Sequence, residues 1–264
     1  RKLYRSAAGK KYHLSTYMTG YDRKRILQEI REELERLEKD FPEYEDVPEE
    51  RRITIISTSL IEAGVDLDVY AVFRERSGLD SILQAGGRCN REGKRSDAEV
   101  FVFDFSDESN RASADERGNL TKGLLKEYED ISDPACIEAY YERLFFMKKE
   151  ELQEYVMHRF CSDIRSIPFA GYAEKFEIID DKTVSLVVPR DGRSEELVDA
   201  LRYTKSGSAR QLQNYTCTLY QKELEDLIRQ HAADDFGTGI FCLTNLDYYD
   251  QETGIQFEAK DYIL

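Results

Sequence analysis

The chain has 264 residues, 41% of them hydrophobic, which is enough for one large domain or two ordinary ones and excludes a peptide or a linker. Its 38 Lys and Arg stand against 53 Asp and Glu, a net charge of −15 that opposes any nucleic-acid affinity driven by bulk charge. No apolar run approaches the roughly 20 residues of a membrane helix, and the opening RKLYRSAAGKKYHLST lacks an apolar signal core, so a cytoplasmic setting without membrane contact is expected.

Taken in chain order, KYHLST (11–16) reads as a short strand. From Asp22 the residues Ile26, Leu27, Ile30, Leu34 and Leu37 form one apolar stripe, which predicts a helix to about Lys39. The acidic FPEYEDVPEE (41–50), with Pro42 and Pro48, ends it as a solvated loop. RITIIST (52–58), VYAVFRE (69–75) and AEVFVFDF (98–105) are almost continuously apolar, the pattern of strands buried on both faces, and LDSILQAGGRC between the last two is helical. Strands alternating with helices imply a parallel sheet whose ligands gather at the carboxyl ends of the strands.

From about Leu120 to Cys161 the period is helical, broken at Ser132-Asp133-Pro134, an N-cap followed by proline at the first helical position. Beyond Pro168, YAEKFEII, DDK and TVSLVVP read as strand, turn and strand. A helix over 194–203, a strand at YTCTLY (215–220), a helix over 221–232 and short strands near GIFCLTN and IQFEA complete the prediction. The expected architecture is an α/β domain over 1–110, a helical connector over 111–164 and a small α+β domain over 165–264 with a core of its own. The five cysteines, at 89, 136, 161, 217 and 242, never form a C-x-x-C pair and read as reduced structural thiols. His13, His158 and His231 are scattered and read as surface histidines, so no metal site is expected.

Two segments carry chemistry. Ser57-Thr58-Ser59-Leu60-Ile61-Glu62-Ala63-Gly64-Val65-Asp66-Leu67-Asp68 begins where a strand ends, and Gln84-Ala85-Gly86-Gly87-Arg88-Cys89-Asn90-Arg91-Glu92-Gly93 closes the next helix. At one edge of a parallel sheet they would present hydroxyls, a turn glycine beside a carboxylate, and two arginines on one helical face. That set suits a nucleoside triphosphate, because phosphoryl transfer spreads negative charge that a guanidinium stabilises. Taken singly, two arginines at a helix end also fit a helix dipole, and Gly-Val-Asp also fits a plain turn.

The joint spacing, Q-x-x-G-R-x-x-R after S-T-x-x-x-E-x-G-V-D, resembles motifs VI and V of superfamily two helicases. STSLIEAGVDLD followed by LDSILQAGGRCNREG resembles in particular the helicase-nuclease of type I CRISPR interference. HLSTYMTGYDRKRIL (13–27) resembles that family's preceding segment, with Asp22-Arg23 opening the helix. The resemblance implies a RecA-like parallel sheet, part of a second helicase lobe, in a protein that translocates on single-stranded DNA. It implies that Asp66 meets the ATP ribose with Gly64 making the turn, that Arg88 and Arg91 reach the phosphates as catalytic residues, and that Gln84 couples nucleotide to lobe closure. Ser57 and Thr58 would contact a single-strand phosphate, as would Ser15 and Thr16 at the earlier strand end. Tyr17 stands where many relatives carry an arginine and could stack on a base, whereas Lys94 and Arg95 read as a solvated loop.

No G-x-x-x-x-G-K-[ST], no Asp-Glu-Ala-Asp and no His-Asp cluster occurs in the sequence. The main ligands of ATP and magnesium are therefore expected on a first lobe outside this chain, as is the nuclease domain. The chain then reads as a carboxyl-terminal fragment, inactive as an ATPase alone, whose partners are single-stranded DNA, the missing lobe and an RNA-guided surveillance complex. In the same reading 165–264 hinges on the connector as a gate or dock. The rival readings are a non-catalytic docking module on the same fold and another superfamily two helicase.

Overall fold

The computed structural model describes residues 1–41, 43, 46–61, 64–95, 98–104, 116–149, 183–204, 209–237 and 239–257. The chain divides into two compact units, one made of Arg1–Ile61 with Asp181–Leu264 and the other of Glu62–Asp180.

The first unit opens with a short helix α1 (Lys2–Ser6), strand β1 (Lys10–Leu14), helix α2 (Gly20–Asp40) and strand β2 (Ile53–Ser57). Strands β1 and β2 pair in parallel with Leu14 opposite Ser57, so both carboxyl ends finish at the same edge. Helix α2 is capped by Thr19, whose hydroxyl accepts from the Asp22 amide at 3.2 Å. Its buried face is Asp22, Ile26, Ile30, Glu33 and Leu37. The predicted stripe is thus rotated: Leu27 and Leu34 are half-buried, and Glu33 takes a core-facing position because Lys10 and Arg36 each reach its Oε2 at 2.8 Å. The Lys10 contact also holds the Glu33 carboxyl below the usual range.

The rest of this unit is β5 (Thr183–Val187), α6 (Gly192–Thr204), α7 (Ala209–Leu212), β6 (Thr216–Tyr220), α8 (Gln221–Arg229), β7 (Ala233–Asp234), β8 (Phe241–Leu243), β9 (Tyr249–Asp250) and β10 (Gly254–Ile255). A four-stranded sheet runs in the order β6, β5, β8, β7, antiparallel except for the parallel β5–β8 pair. Period-two alternation sends Leu186 to one face, with Leu219, Leu224, Leu227 and Ile255, and Val187 to the other, with Val198, Leu201 and Leu212. Of the expected strand, turn and strand beyond Pro168, the second strand is β5, and YAEKFEII lies outside the described residues.

This sheet and the separate β9–β10 pair are joined to the β1–α2 junction by main chain. The amide of Thr218 donates to the Thr16 carbonyl at 2.9 Å, and that of Ile255 to the Tyr17 carbonyl at 3.0 Å. Gly254 makes the second contact possible: its φ is +79°, and an added Cβ would lie 2.3 Å from the Tyr17 oxygen.

The second unit holds β3 (Ala71–Glu75), α3 (Leu79–Gly86), β4 (Glu99–Phe103), α4 (Glu116–Glu127) and α5 (Pro134–Met147). Strands β3 and β4 pair in parallel. Asp133 caps α5 through the Ala135 amide at 2.8 Å, with Pro134 next to it, as the sequence predicts. Leu79, Leu124, Cys136 and Tyr140 form the core between α3, α4 and α5. The Asp80 carboxylate fastens it, accepting from Arg117 at 2.6 Å and from the Tyr140 hydroxyl at 3.0 Å.

Burial of the parallel strands on both faces does not hold. Phe73 and Phe101, stacked 4.7 Å apart on β3 and β4, are 70% and 41% exposed, and no residue of β2 falls in the buried class. A continuous apolar run reports β propensity as well as burial, which is why periodicity alone overstated the cover. Of the histidines, His13 is also unlike the expectation: it is buried at 5% on β1 beside the Tyr4 ring, whereas His231 is exposed and His158 lies outside the described residues. Cys136, Cys217 and Cys242 are buried free thiols, and burial pushes Cys217 up to about 12 and Cys242 up to about 11.

Candidate functional site

Within the second unit the segment after Gly64 sets the chemistry. Gly64 has φ +72° with open space around its Cα, so glycine serves the left-handed turn there rather than a close approach. The chain then alternates, with Val65 and Leu67 buried, the Asp66 side chain 80% exposed and that of Asp68 19% exposed. Extended backbone points successive side chains to opposite sides, so two apolar anchors leave two carboxylates facing outward.

Helix α3 ends at Gly86, with Gly87 at the cap. Arg88 and Arg91 therefore do not share the helical face that their spacing predicts; they lie past the helix in a segment held by backbone pairing. The Val69 amide donates to the Arg88 carbonyl at 2.8 Å and the Asn90 amide to the Val69 carbonyl at 3.0 Å. Asn90 takes φ 49°, a left-handed conformation that asparagine tolerates better than most residues. Gly86 and Gly87 stop the helix, and this reversal then brings Arg91 back over the 66–68 segment.

There Arg91 Nη1 meets Asp66 Oδ1 at 2.7 Å. Asp68 Oδ1 accepts from the Arg91 amide at 2.9 Å and from Arg95 Nη1 at 3.1 Å. Asn90 closes the turn from both ends, its amide group donating to the Arg95 carbonyl at 2.5 Å and its oxygen accepting from the Arg95 amide at 2.9 Å. Gly64, Asp66 and Arg91 are thus brought together. Arg88 is half-buried at the start of the same turn, and Gln84 is exposed on α3. Arg95, expected in a solvated loop, is an anchor of the turn. Asp68, Asn90 and Arg95 were missed as a set; the visible signal was an Asp-x-Asp alternation followed by Asn-Arg.

The other candidates belong to the first unit, where the parallel register gathers them. Ser15 and Thr16 follow β1, Ser57 ends β2, and the Thr58 amide donates to the Leu14 carbonyl at 3.1 Å. Thr16 and Thr58 are exposed, and the Ser57 hydroxyl donates to the Thr58 carbonyl at 2.8 Å. Ser15 is 1% exposed and its hydroxyl is buried without a partner. Tyr17 is a packing residue here: its ring meets Phe257 edge-on at 5.7 Å and its hydroxyl donates to Glu223 at 2.6 Å, so base stacking is not its role in this arrangement. Asp22 and Arg23 stand in the first turn of α2, as expected, and Asp22 Oδ2 is met by Arg190 Nε at 2.7 Å. Among the described residues no group of three or more His, Cys, Asp or Glu could hold a metal ion, and no helix is long and apolar enough to cross a membrane.

Parallel strands that end together in hydroxyls, followed in the sequence by a Gly-Val-Asp turn and an arginine beyond the next helix, are features of a partial RecA-like lobe. Residues 2–94 match the family described as the CRISPR-associated nuclease/helicase Cas3, C-terminal. The match covers about a third of the chain, and over that segment the chain is similar to the Cas3 family.

Two curated relatives agree. The CRISPR-associated nuclease/helicase Cas3 of Haloferax volcanii is 41% identical over 91 residues, covering 30% of this chain and 10% of its own. That of Methanothermobacter thermautotrophicus is 33% identical over 86 residues, covering 31% and 10%. The match thus spans about a tenth of these relatives. Among solved structures, T. fusca Cas3 superposes with a TM-score of 0.51 at 14% identity, over 90% of this chain and 33% of that one. A chain of a CRISPR RNA-guided surveillance complex, pre-nicking, gives 0.51 at 14% identity over 92% and 35%. The likeness is one of fold, and it extends well past residue 94.

Proposed function

We propose that the chain is the carboxyl-terminal part of an ATP-dependent helicase-nuclease that moves along single-stranded DNA in type I CRISPR interference. The observation that carries this reading is the pairing of Arg91 with Asp66 at 2.7 Å, directly beyond the left-handed turn at Gly64. A ribose hydroxyl is a good donor to Asp66, and a phosphate is a better bidentate partner for Arg91 than a solvated carboxylate. An exposed pair of this kind contributes roughly 0–1 kcal/mol, so a bound nucleotide separates it at little cost. One structure of T. fusca Cas3 carries ADP, and one similar chain sits in a surveillance complex, which supports a nucleotide and that complex as partners here.

In this reading Arg91, with Arg88, stabilises charge developing on the transferred phosphoryl group, Gln84 relays nucleotide state, and magnesium is held mainly by a first lobe. The exposed Thr16 and Thr58, with Ser57 beside them, offer hydroxyls to a strand phosphate. The test is kinetic, in a protein joining this chain to that lobe. Arg91→Ala should lower DNA-stimulated ATP turnover at least tenfold, about 1.4 kcal/mol, while binding of an ATP analogue changes little. Equal losses of binding and turnover would move Arg91 to ground-state recognition and overturn its catalytic role.

A further inference from the structure

The first turn of α2 and the segment 213–215 enclose an open groove of about 420 Å³, lined by Tyr21, Lys24, Arg25, Asn214 and Tyr215. Its walls are fixed from inside. Gly20 lets the backbone of Asn214 come close, since an added Cβ would stand 3.1 Å from the Asn214 carbonyl oxygen. Lys24 Nζ donates to Asn214 Oδ1 at 2.9 Å. Tyr21, 40% exposed, stacks on the buried Tyr215 with centroids 5.6 Å apart, and the Tyr215 hydroxyl is held by Asp191 at 3.0 Å. Arg25 is oriented by Glu29 at 2.7 Å and by the Gln251 carbonyl at 3.1 Å.

We propose that this groove is a nucleotide subsite for single-stranded DNA, separate from the hydroxyl edge of β1 and β2, with a base against Tyr21 and its phosphate beside Lys24 and Arg25. An aromatic face serves every base, and two neighbouring cations supply the attraction that a chain of net charge −15 otherwise lacks. Asp22 is engaged by Arg190, and Arg25 reaches a phosphate by leaving Glu29, an exposed pair that contributes little to stability. The volume falls within the roughly 300–1,000 Å³ of small-ligand sites. Thr16 lies only a few residues before Tyr21 in the same compact unit, so a strand held at that edge has an adjoining place for its next nucleotides. The inference rests on the single-strand reading above.

Titration of the chain with oligothymidylate at low salt, followed by amide chemical shifts, separates the two. Shifts are expected at 14–16 and 57–58 and, in the groove, at 20–25 and 213–215. Tyr21→Ala should weaken the groove response about tenfold with the salt dependence intact, and Tyr21→Phe should preserve it. Replacing Lys24 and Arg25 by Ala should lower the salt slope by roughly 0.7 for each lost phosphate contact. Shifts at the strand edge alone would overturn the groove and leave the single-strand reading standing. Silence at both sites would overturn both, and inorganic phosphate alone reproducing the groove shifts would reduce it to an ion site.

Discussion

His13 shows how one buried side chain ties stability to pH. Burial first, with the Arg1 guanidinium adding to it, pushes it down to about 4, against about 6.5 for an ordinary histidine. Between those values the unfolded chain binds more protons than the folded one, so the stabilisation is complete above pH 6.5 and is lost as the pH falls towards 4. The difference between pH 7 and pH 5 is about 2 kcal/mol. In urea unfolding at those two pH values, His13→Leu should lose correspondingly less stability than the parent chain, and equal losses would refute the assignment. At the same scale, Arg91 depends on Asp68, which accepts from its amide and from Arg95 and so fixes where the guanidinium emerges.

Among the elements, the junction of α2 with the carboxyl-terminal sheet concentrates buried polar chemistry. Asp22 is 1% exposed; its Oδ2 accepts from Arg190 Nε at 2.7 Å, from the Tyr249 hydroxyl at 2.7 Å and from the Thr19 hydroxyl at 3.0 Å. Arg190 also lies over the Tyr249 ring, 4.8 Å from its centroid. Removing one member of a buried pair leaves the other uncompensated, at a cost of about 3–5 kcal/mol. Asp22→Ala should therefore lower the unfolding free energy by about 3 kcal/mol, whereas Lys24→Ala on the exposed side of the same turn should change it by less than about 0.5 kcal/mol. Denaturant titration of the two variants checks both, and a small effect at Asp22 would show that α2 is not held through this network.

For the whole molecule, the prediction concerns cooperativity. The carboxyl-terminal segment has apolar sheet faces of its own, yet its Thr218 and Ile255 amides are bonded to Thr16 and Tyr17, and Gly254 meets Tyr17 backbone to backbone. Residues 1–61 and 181–264 should open together, with the Thr218 and Ile255 amides exchanging hydrogen at the same free energy as the amide of Ile30 in α2. Exchange of Thr218 and Ile255 at a much lower free energy would mean that the carboxyl-terminal segment undocks by itself, as a hinged accessory domain would.

The sequence by itself determined the elements and the motif set: the α2 helix, the Asp133-Pro134 start of α5, and the Gly64, Asp66, Arg88 and Arg91 spacing that carries the resemblance. These are local signals, because caps, turns and periodicity are written in residues close along the chain. Tertiary structure decided what depends on distant partners. Glu33 enters the buried face because Lys10 stands beside it, Asp22 finds Arg190 far along the chain, and Tyr17 is taken up by Glu223 and Phe257. The Arg91–Asp66 pair likewise needs the backbone reversal at 88–90, whose hydrogen bonds to Val69 no periodicity records. A charge or ring is assigned by whichever neighbour folding brings within a few ångströms, and that neighbour can lie anywhere in the chain.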